Sequence, residues 1–386
     1  MKFRYENFGG IIASNAPPFL AFVNREYARN QGYEESPLWQ GNDDIDILTA
    51  PTEVHLAITS TCTGDCPHCY MDSGARDPDE LDTIGLKKAL TALANMGVFH
   101  VALGGGEALL RDDLFEVAAH ARKIGLVPNL TVSGLNLSEK NVHKMKVFGQ
   151  VNVSVDGVGD AHAVFRGPHK FLQADSALDL LIKAGVPTGI NCVVGRSNYG
   201  GLKDLFAYAQ KKGVNELEFL RVKPSGRGLD LYYKERLDFK QSIKLLPLLS
   251  NYSRKFKVPA KIDCSFVPML LWHRPSKKLL LANATYGCEA GNVLIGAKSS
   301  GRVSGCSFLP ALDLTIDQLA DQWEEYPAFQ ELRHWPEQAA EPCRSCGYLK
   351  ICKGGCHAVA EKITGSLWDP DPDCPRVILY RQFNRA

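Results

Sequence analysis

Three cysteines fall within eight residues, in the run Cys62-Thr-Gly-Asp-Cys66-Pro-His-Cys69. Thiolate is a soft ligand, and gaps of three and two residues let all three sulfurs reach one metal centre. A closed structural zinc site takes four protein ligands. Iron–sulfur clusters normally take four cysteines as well. Three thiolates would hold three corners of a [4Fe–4S] cube and leave one iron open to something that is not protein. The open position of a catalytic zinc site is the parallel.

Seven further cysteines crowd the C-terminal part: Cys288, Cys306, Cys343, Cys346, Cys352, Cys356 and Cys374. By spacing alone, Cys343/Cys346 and Cys352/Cys356 would suit a pair of zinc sites. Cys192 and Cys264 stand apart from both groups. A secreted disulfide scaffold would be short and carry a signal peptide. This chain has 386 residues, and its first residues show no basic stretch followed by a continuous apolar run. Metal-bound cysteines in a cytoplasmic protein are the expectation. A net charge of +1 gives no general pull toward nucleic acid. No apolar run approaches the length of a membrane span, so no membrane partner is expected.

The elements that must position the first motif are legible as a repeat. Strands are expected at 54–59, 100–105, 127–132, 151–157, 188–195 and 216–222. Helices are expected at 86–97, 113–125, 138–149 (from an N-cap at Ser138), 176–185 and 202–213. Six βα units predict a parallel sheet with helices outside, a partial (β/α)6 barrel short of the eight units of a closed one. Ligands of such sheets sit at the carboxyl ends of the strands. The cysteine motif follows the first strand, Gly104-Gly105-Gly106-Glu107 ends the second, and Asp156-Gly157 ends the fourth. All three therefore share one rim. The expected organisation is an N-terminal strand-and-loop extension (1–50), a core (51–235), a helical bridge (236–281) and a cysteine-rich domain (282–386) with little room for a hydrophobic core.

C-x3-C-x2-C after the first strand of such a repeat resembles the radical S-adenosylmethionine (SAM) superfamily. The resemblance covers about 51–228. In that family the open iron is chelated by the amino and carboxylate groups of SAM, and one electron from the cluster yields a 5′-deoxyadenosyl radical that abstracts hydrogen. The resemblance implies that Cys62, Cys66 and Cys69 hold the catalytic cluster. Gly105, Gly106 and Glu107 resemble the element that takes the SAM ammonium, with Ala108 where a proline is usual. Ser154 and Asp156 resemble the contacts to its carboxylate and ribose, and Arg166 the carboxylate's arginine. His68 occupies the aromatic position beside the adenine; Tyr70 and Asn191 are further cofactor contacts by the same likeness.

The later cysteines resemble the SPASM domain, which holds two auxiliary [4Fe–4S] clusters and would make three in all. The likeness assigns Cys343, Cys346, Cys352 and Cys374 to the distal cluster and Cys288, Cys306 and Cys356 to the nearer one. Some relatives have another cysteine six residues before the first; here Ala282 stands there. The expectation is an open or non-cysteine fourth position, with Cys264 a core or loop thiol. SPASM enzymes include peptide maturases, sulfatase maturases and a few small-molecule enzymes. Sulfatase maturases carry an aspartate base after the second SPASM cysteine, where this chain has Ser307. The expected substrate is therefore a ribosomally made precursor peptide, Nif11-type among the options, to be cross-linked, epimerised or spliced with loss of tyramine. The alternatives are a formylglycine-forming or small-molecule radical enzyme and, from another class, a structural zinc protein. Leader capture by strand addition is expected to need a separate small protein, and the cluster an electron donor such as flavodoxin or ferredoxin.

Overall fold

Three N-terminal strands, β1 (Lys2–Glu6), β2 (Gly9–Asn15) and β3 (Pro18–Asn24), form an antiparallel sheet of their own in that order. The computed structural model describes all residues except 16–17, 42–44, 46 and 385–386, and the backbone alone of Asn15. This end is thus more regular than a strand-and-loop extension. Its anchor is local chemistry. The buried Arg4 and Glu6 pair at 2.7 Å, Glu6 also accepts from Thr49, and the Trp39 indole donates to the carbonyls of Glu6 and Gly9.

The main sheet has nine strands. Six run parallel and in chain order: β4 (Glu53–Thr59), β5 (His100–Gly105), β6 (Val127–Val132), β7 (Val151–Ser154), β8 (Thr188–Val194) and β9 (Glu216–Arg221). They coincide with the six expected strands. Side chains alternate across a strand. Val54, Leu56 and Ile58 of β4 and Ile190 and Cys192 of β8 pack under the helices, with Leu86, Leu90, Leu178 and Phe206. The opposite face is polar: Asn152 bonds Asn191 at 2.8 Å, and Gln150 bonds Glu216 at 2.8 Å. A hydrophobic outer face and a hydrogen-bonded inner one are what a barrel with a binding lumen requires.

The structure departs from expectation in three places. No α-helix forms at 138–149; the segment holds only a 3-10 turn, Val142–Val147. The Asn141 side chain accepts from the Ser138 backbone and donates to Asn136, so local side-chain bonds compete with the helix. The bridge is not simply helical. After the helix Phe239–Phe256, with its Asp238/Gln241 capping box, β10 (Ala260–Ile262) pairs parallel with β9. The C-terminal part completes the other edge. There β11 (Leu294–Ala297) pairs parallel with β4, and β12 (Val303–Ser304) pairs antiparallel with β11. This part also has apolar filling, contrary to expectation: Trp335 and Phe329 are fully buried, and Trp323 and Phe329 join the main core.

Candidate active site

β4 ends at Thr59, and the chain turns at once into the cysteine loop. Glu80 fixes the turn, accepting from the Thr59 hydroxyl and the Ser60 amide at 3.0 Å each. Within the loop the amides of Gly64 and Ser73 point at the sulfurs of Cys62 and Cys69, at 3.2 and 3.4 Å. Donors aimed at sulfur favour the thiolate form. Arg227 clamps the loop from behind, donating to the carbonyls of Cys66 and Ser73 at 3.1 and 3.0 Å. Burial pushes the Cys62 thiol up.

The glycine element packs directly on this turn. The amides of Gly106 and Glu107 donate to the carbonyls of Thr59 and Thr61, both at 2.8 Å. Gly105 has φ of +119°, and a Cβ there would stand 2.2 Å from the Thr59 oxygen. A Cβ on Gly106 would stand 2.1 Å from the Thr61 oxygen. No other residue fits so close an approach. Glu107 is 1% exposed and accepts from the Ser133 amide and hydroxyl. Burial raises its pKa, opposed by the Ser133 bonds.

On the neighbouring strands Ser154 of β7 is in register with Asn191 of β8. Asp156 is fully engaged: one carboxylate oxygen takes the Val193 amide at 2.7 Å and the other takes Arg166 Nε at 2.5 Å. Burial works to raise its pKa, but the Arg166 pair, with His68 and the Val193 amide, outweighs that effect and holds it below the usual carboxylate range. Arg166 also feels the charge of Cys66. His68 Nδ1 donates to the Phe165 carbonyl at 2.6 Å, and burial lowers its pKa to about 4, so the ring is neutral. The structure therefore brings Cys62, Cys66, Cys69, His68, Glu107, Ser154, Asp156, Arg166 and Asn191 to one end of the sheet.

A cavity of about 270 Å³ opens on the inner face beside this cluster, walled by His55, Tyr70, Met71, Gly104, Gly105, Lys298 and Ser307. The Tyr70 ring leans on Phe308 at 4.7 Å, and burial moves its hydroxyl up to about 12. Behind the cavity runs a chain that the motifs did not reveal. Glu53 meets His55 Nε2 at 3.1 Å, and His55 Nδ1 meets the Ser307 hydroxyl at 3.3 Å. Burial is the largest influence and works against charge on His55, but the Glu53 hydrogen bond and the charges of Glu53 and Glu218 together raise its pKa. One signal was present in the sequence: Glu53 and His55 alternate with Val54 and Leu56, which places two ionisable groups on the inner face of a buried strand.

The family model of the radical SAM superfamily matches residues 56–209, a span that contains the cysteine loop, Glu107, Asp156, Arg166 and Asn191. The mycofactocin maturase MftC of Mycobacterium ulcerans is 31% identical over 341 residues, covering 85% of this chain and 88% of that protein. The chain belongs to the radical SAM superfamily. It is an enzyme, and SAM with its [4Fe–4S] cluster is its cofactor pair. The AdoMet-dependent heme synthase of Methanosarcina barkeri is 29% identical, covering 87% of this chain and 99% of that one. Streptococcus suis SuiB, solved with its precursor peptide SuiA, shares the fold at a TM-score of 0.76 and 16% identity, over 96% of this chain and 98% of that one.

In this radical SAM enzyme the later cysteines form two groups. Cys343, Cys346, Cys352 and Cys374 line one cavity of about 410 Å³, open in part to solvent, with Pro268, Leu271 and Val377. Cys288, Cys306 and Cys356 pack together with Phe165, Val222 and Tyr232. Among the described residues no three His, Cys, Asp or Glu side chains close tightly around a single-ion position. A buried clamp joins the cysteine-rich part to β9. Arg221 donates to both oxygens of Asp371 at 2.7 and 2.9 Å, and Asp371 accepts the Cys356 amide at 3.0 Å. Among the described residues no helix is long and apolar enough to cross a membrane.

Proposed function

We propose that this enzyme is a maturase of a ribosomally made precursor peptide, working in the cytoplasm. The observation that carries the reading is the inner cavity. One wall is the catalytic loop through Tyr70 and Met71, and the other is Ser307, next to Cys306. A side chain held there lies between the SAM end of the sheet and the nearer auxiliary cysteines. When bound, the cluster and SAM would supply radical hydrogen-abstraction chemistry beside this cavity. Glu107 takes the SAM ammonium, Arg166 and Ser154 its carboxylate, His68 and Tyr70 flank the adenosine, and Asn191 closes that wall. Gly105 and Gly106 let the ligand approach the backbone. Asp156 acts by holding Arg166, since both its oxygens are taken. The two later cysteine groups hold two auxiliary [4Fe–4S] clusters, and flavodoxin or ferredoxin supplies the electron.

Peptide capture is supported by the N-terminal sheet, in which β3, among the described residues, pairs only with β2 and so has an open edge for strand addition. A separate leader-recognition protein completes that site. Solved SuiB carries its own precursor peptide on the same fold, which supports this substrate class. The end-to-end match to the heme synthase favours a second reading, a small molecule filling the cavity.

One experiment separates the two. The reconstituted enzyme is given SAM and dithionite without oxygen, with and without a candidate precursor and leader-binding protein, and 5′-deoxyadenosine and peptide mass are followed. Peptide-dependent product with a mass change supports the maturase. Product with no change in any peptide, but turnover of an added small molecule, would favour the second reading.

A further inference from the structure

We propose that Cys264 is the fourth protein ligand of the auxiliary cluster held by Cys288, Cys306 and Cys356. The proposal rests on the auxiliary-cluster reading above and replaces the expected open position. Cys264 lies 24 residues before Cys288 in the chain, outside the spacing of the cysteine-rich part. Topology closes that gap. β10 pairs with β9, and Cys264 opens the turn Cys264–Phe266 that directly follows β10. It therefore stands at the carboxyl end of its strand, on the rim that carries the rest of the chemistry.

Two links tie this turn to the other cysteines. Arg221 donates from one nitrogen to the Ser265 carbonyl at 3.0 Å and to Asp371 at 2.7 Å, and Asp371 accepts the Cys356 amide. The residue after Cys264 and the backbone of Cys356 thus hang on one buried ion pair. On the other side Asp263 pairs with Lys223, whose ammonium sits 4.2 Å over the ring of Phe308, two residues past Cys306. Cys264 in turn feels the charges of Cys288, Cys356 and Lys223.

The accessibility of the thiol is the telling feature. Cys192, a core cysteine, is 0% exposed. Cys264 is exposed, whereas Ser265 and Phe266 beside it are fully buried. An exposed cysteine on this rim, beside the turn that Arg221 and Asp371 tie to Cys356, is free to take a metal, whereas the fully buried Cys192 is not. The Asp263 carboxylate next to Cys264 is already engaged, accepting from Lys223 and the Ser265 hydroxyl. Four thiolates complete the usual ligand set of a cubane, and a lysine ammonium beside them favours their charged form.

The test uses the full-length chain with Cys62, Cys66 and Cys69 replaced by alanine, so that only auxiliary clusters contribute. This parent, and the same chain carrying Cys264→Ala, Cys264→Ser or Cys288→Ala, are reconstituted with iron and sulfide. Iron content, the EPR spectrum and the midpoint potential of the reduced clusters are measured, and ¹³C-cyanide is added as a probe of an open iron. The parent should hold about eight irons. Cys264→Ala should change the spectrum and potential of one cluster and gain a cyanide coupling that the parent lacks, while Cys264→Ser should show an altered spectrum without that coupling. In the unaltered chain, iodoacetamide should label Cys264 when metal-free and fail to do so when loaded. Identical spectra with and without Cys264, or cyanide coupling already present in the parent, would overturn the proposal. A parent with about four irons, unchanged by Cys288→Ala, would instead remove the auxiliary-cluster reading on which it stands.

Discussion

Glu107 is the residue proposed to take the SAM ammonium. It is buried, and its acidity is weakened by that burial. An ammonium placed beside it would restore the charged form and gain a charge-assisted hydrogen bond. Glu107→Gln should weaken SAM binding by about 10–100-fold, the value of one such bond. Equilibrium dialysis on reconstituted protein would read this, with iron content as the control. A change below about twofold would assign the ammonium elsewhere. A second residue-scale prediction concerns the inner face. Glu218 is pushed up to about 7, first by burial and then by Asp263 and Glu53, with Glu216 adding and His55 opposing. An unfolded glutamate titrates near about 4.3. Between the two values the folded chain binds the proton more tightly. The stability it contributes is full below about 4.3 and is lost as pH rises through about 7. The thermal midpoint should fall over that window, and Glu218→Gln should flatten the slope. An unchanged slope in the variant would place the titration on another group.

Elements act here through their ends. β5 delivers Gly105 and Gly106 against the turn after β4, so Glu107 and the cysteine loop form one unit. Gly105→Ala puts a methyl into the Thr59 carbonyl and should separate the two. We expect loss of about four irons per chain, those of the catalytic cluster, with the auxiliary iron kept. Retention of all iron and of SAM binding would mean the loop tolerates the shift. β9 performs the matching task on the other side. Arg221→Met would leave Asp371 buried without its cation and Asp373 with Arg236 alone. Such a break costs about 3–5 kcal/mol, and urea unfolding of the metal-free chain would measure it.

At the scale of the molecule, the cysteine-rich part is not an appendage. It contributes β11 and β12 to the main sheet and Trp323 and Phe329 to the main core. A chain ending at residue 281 would expose the β4 edge from Glu53 to Leu56 and an apolar socket. Unpaired edges template aggregation. That fragment should sediment as aggregate on expression, and a monomeric, SAM-binding fragment would contradict the integration described here.

The six parallel strands, the shared rim and the ten cysteines of the two motifs were legible in the sequence because they are local. Strand alternation repeats every two residues, and ligand spacing is counted along the chain. The helix expected at 138–149 was misread because Asn141 offers the backbone a competing partner that periodicity does not register. What only the tertiary structure decided is what joins distant residues. Arg221 and Asp371 are 150 residues apart, and His55 and Ser307 are 252 apart. β11 reaches β4 only after the chain has passed through the whole repeat. Cys264 has no motif, and its neighbours are set by the pairing of β10 with β9. Such contacts depend on how finished elements pack, and no short window of sequence carries that information.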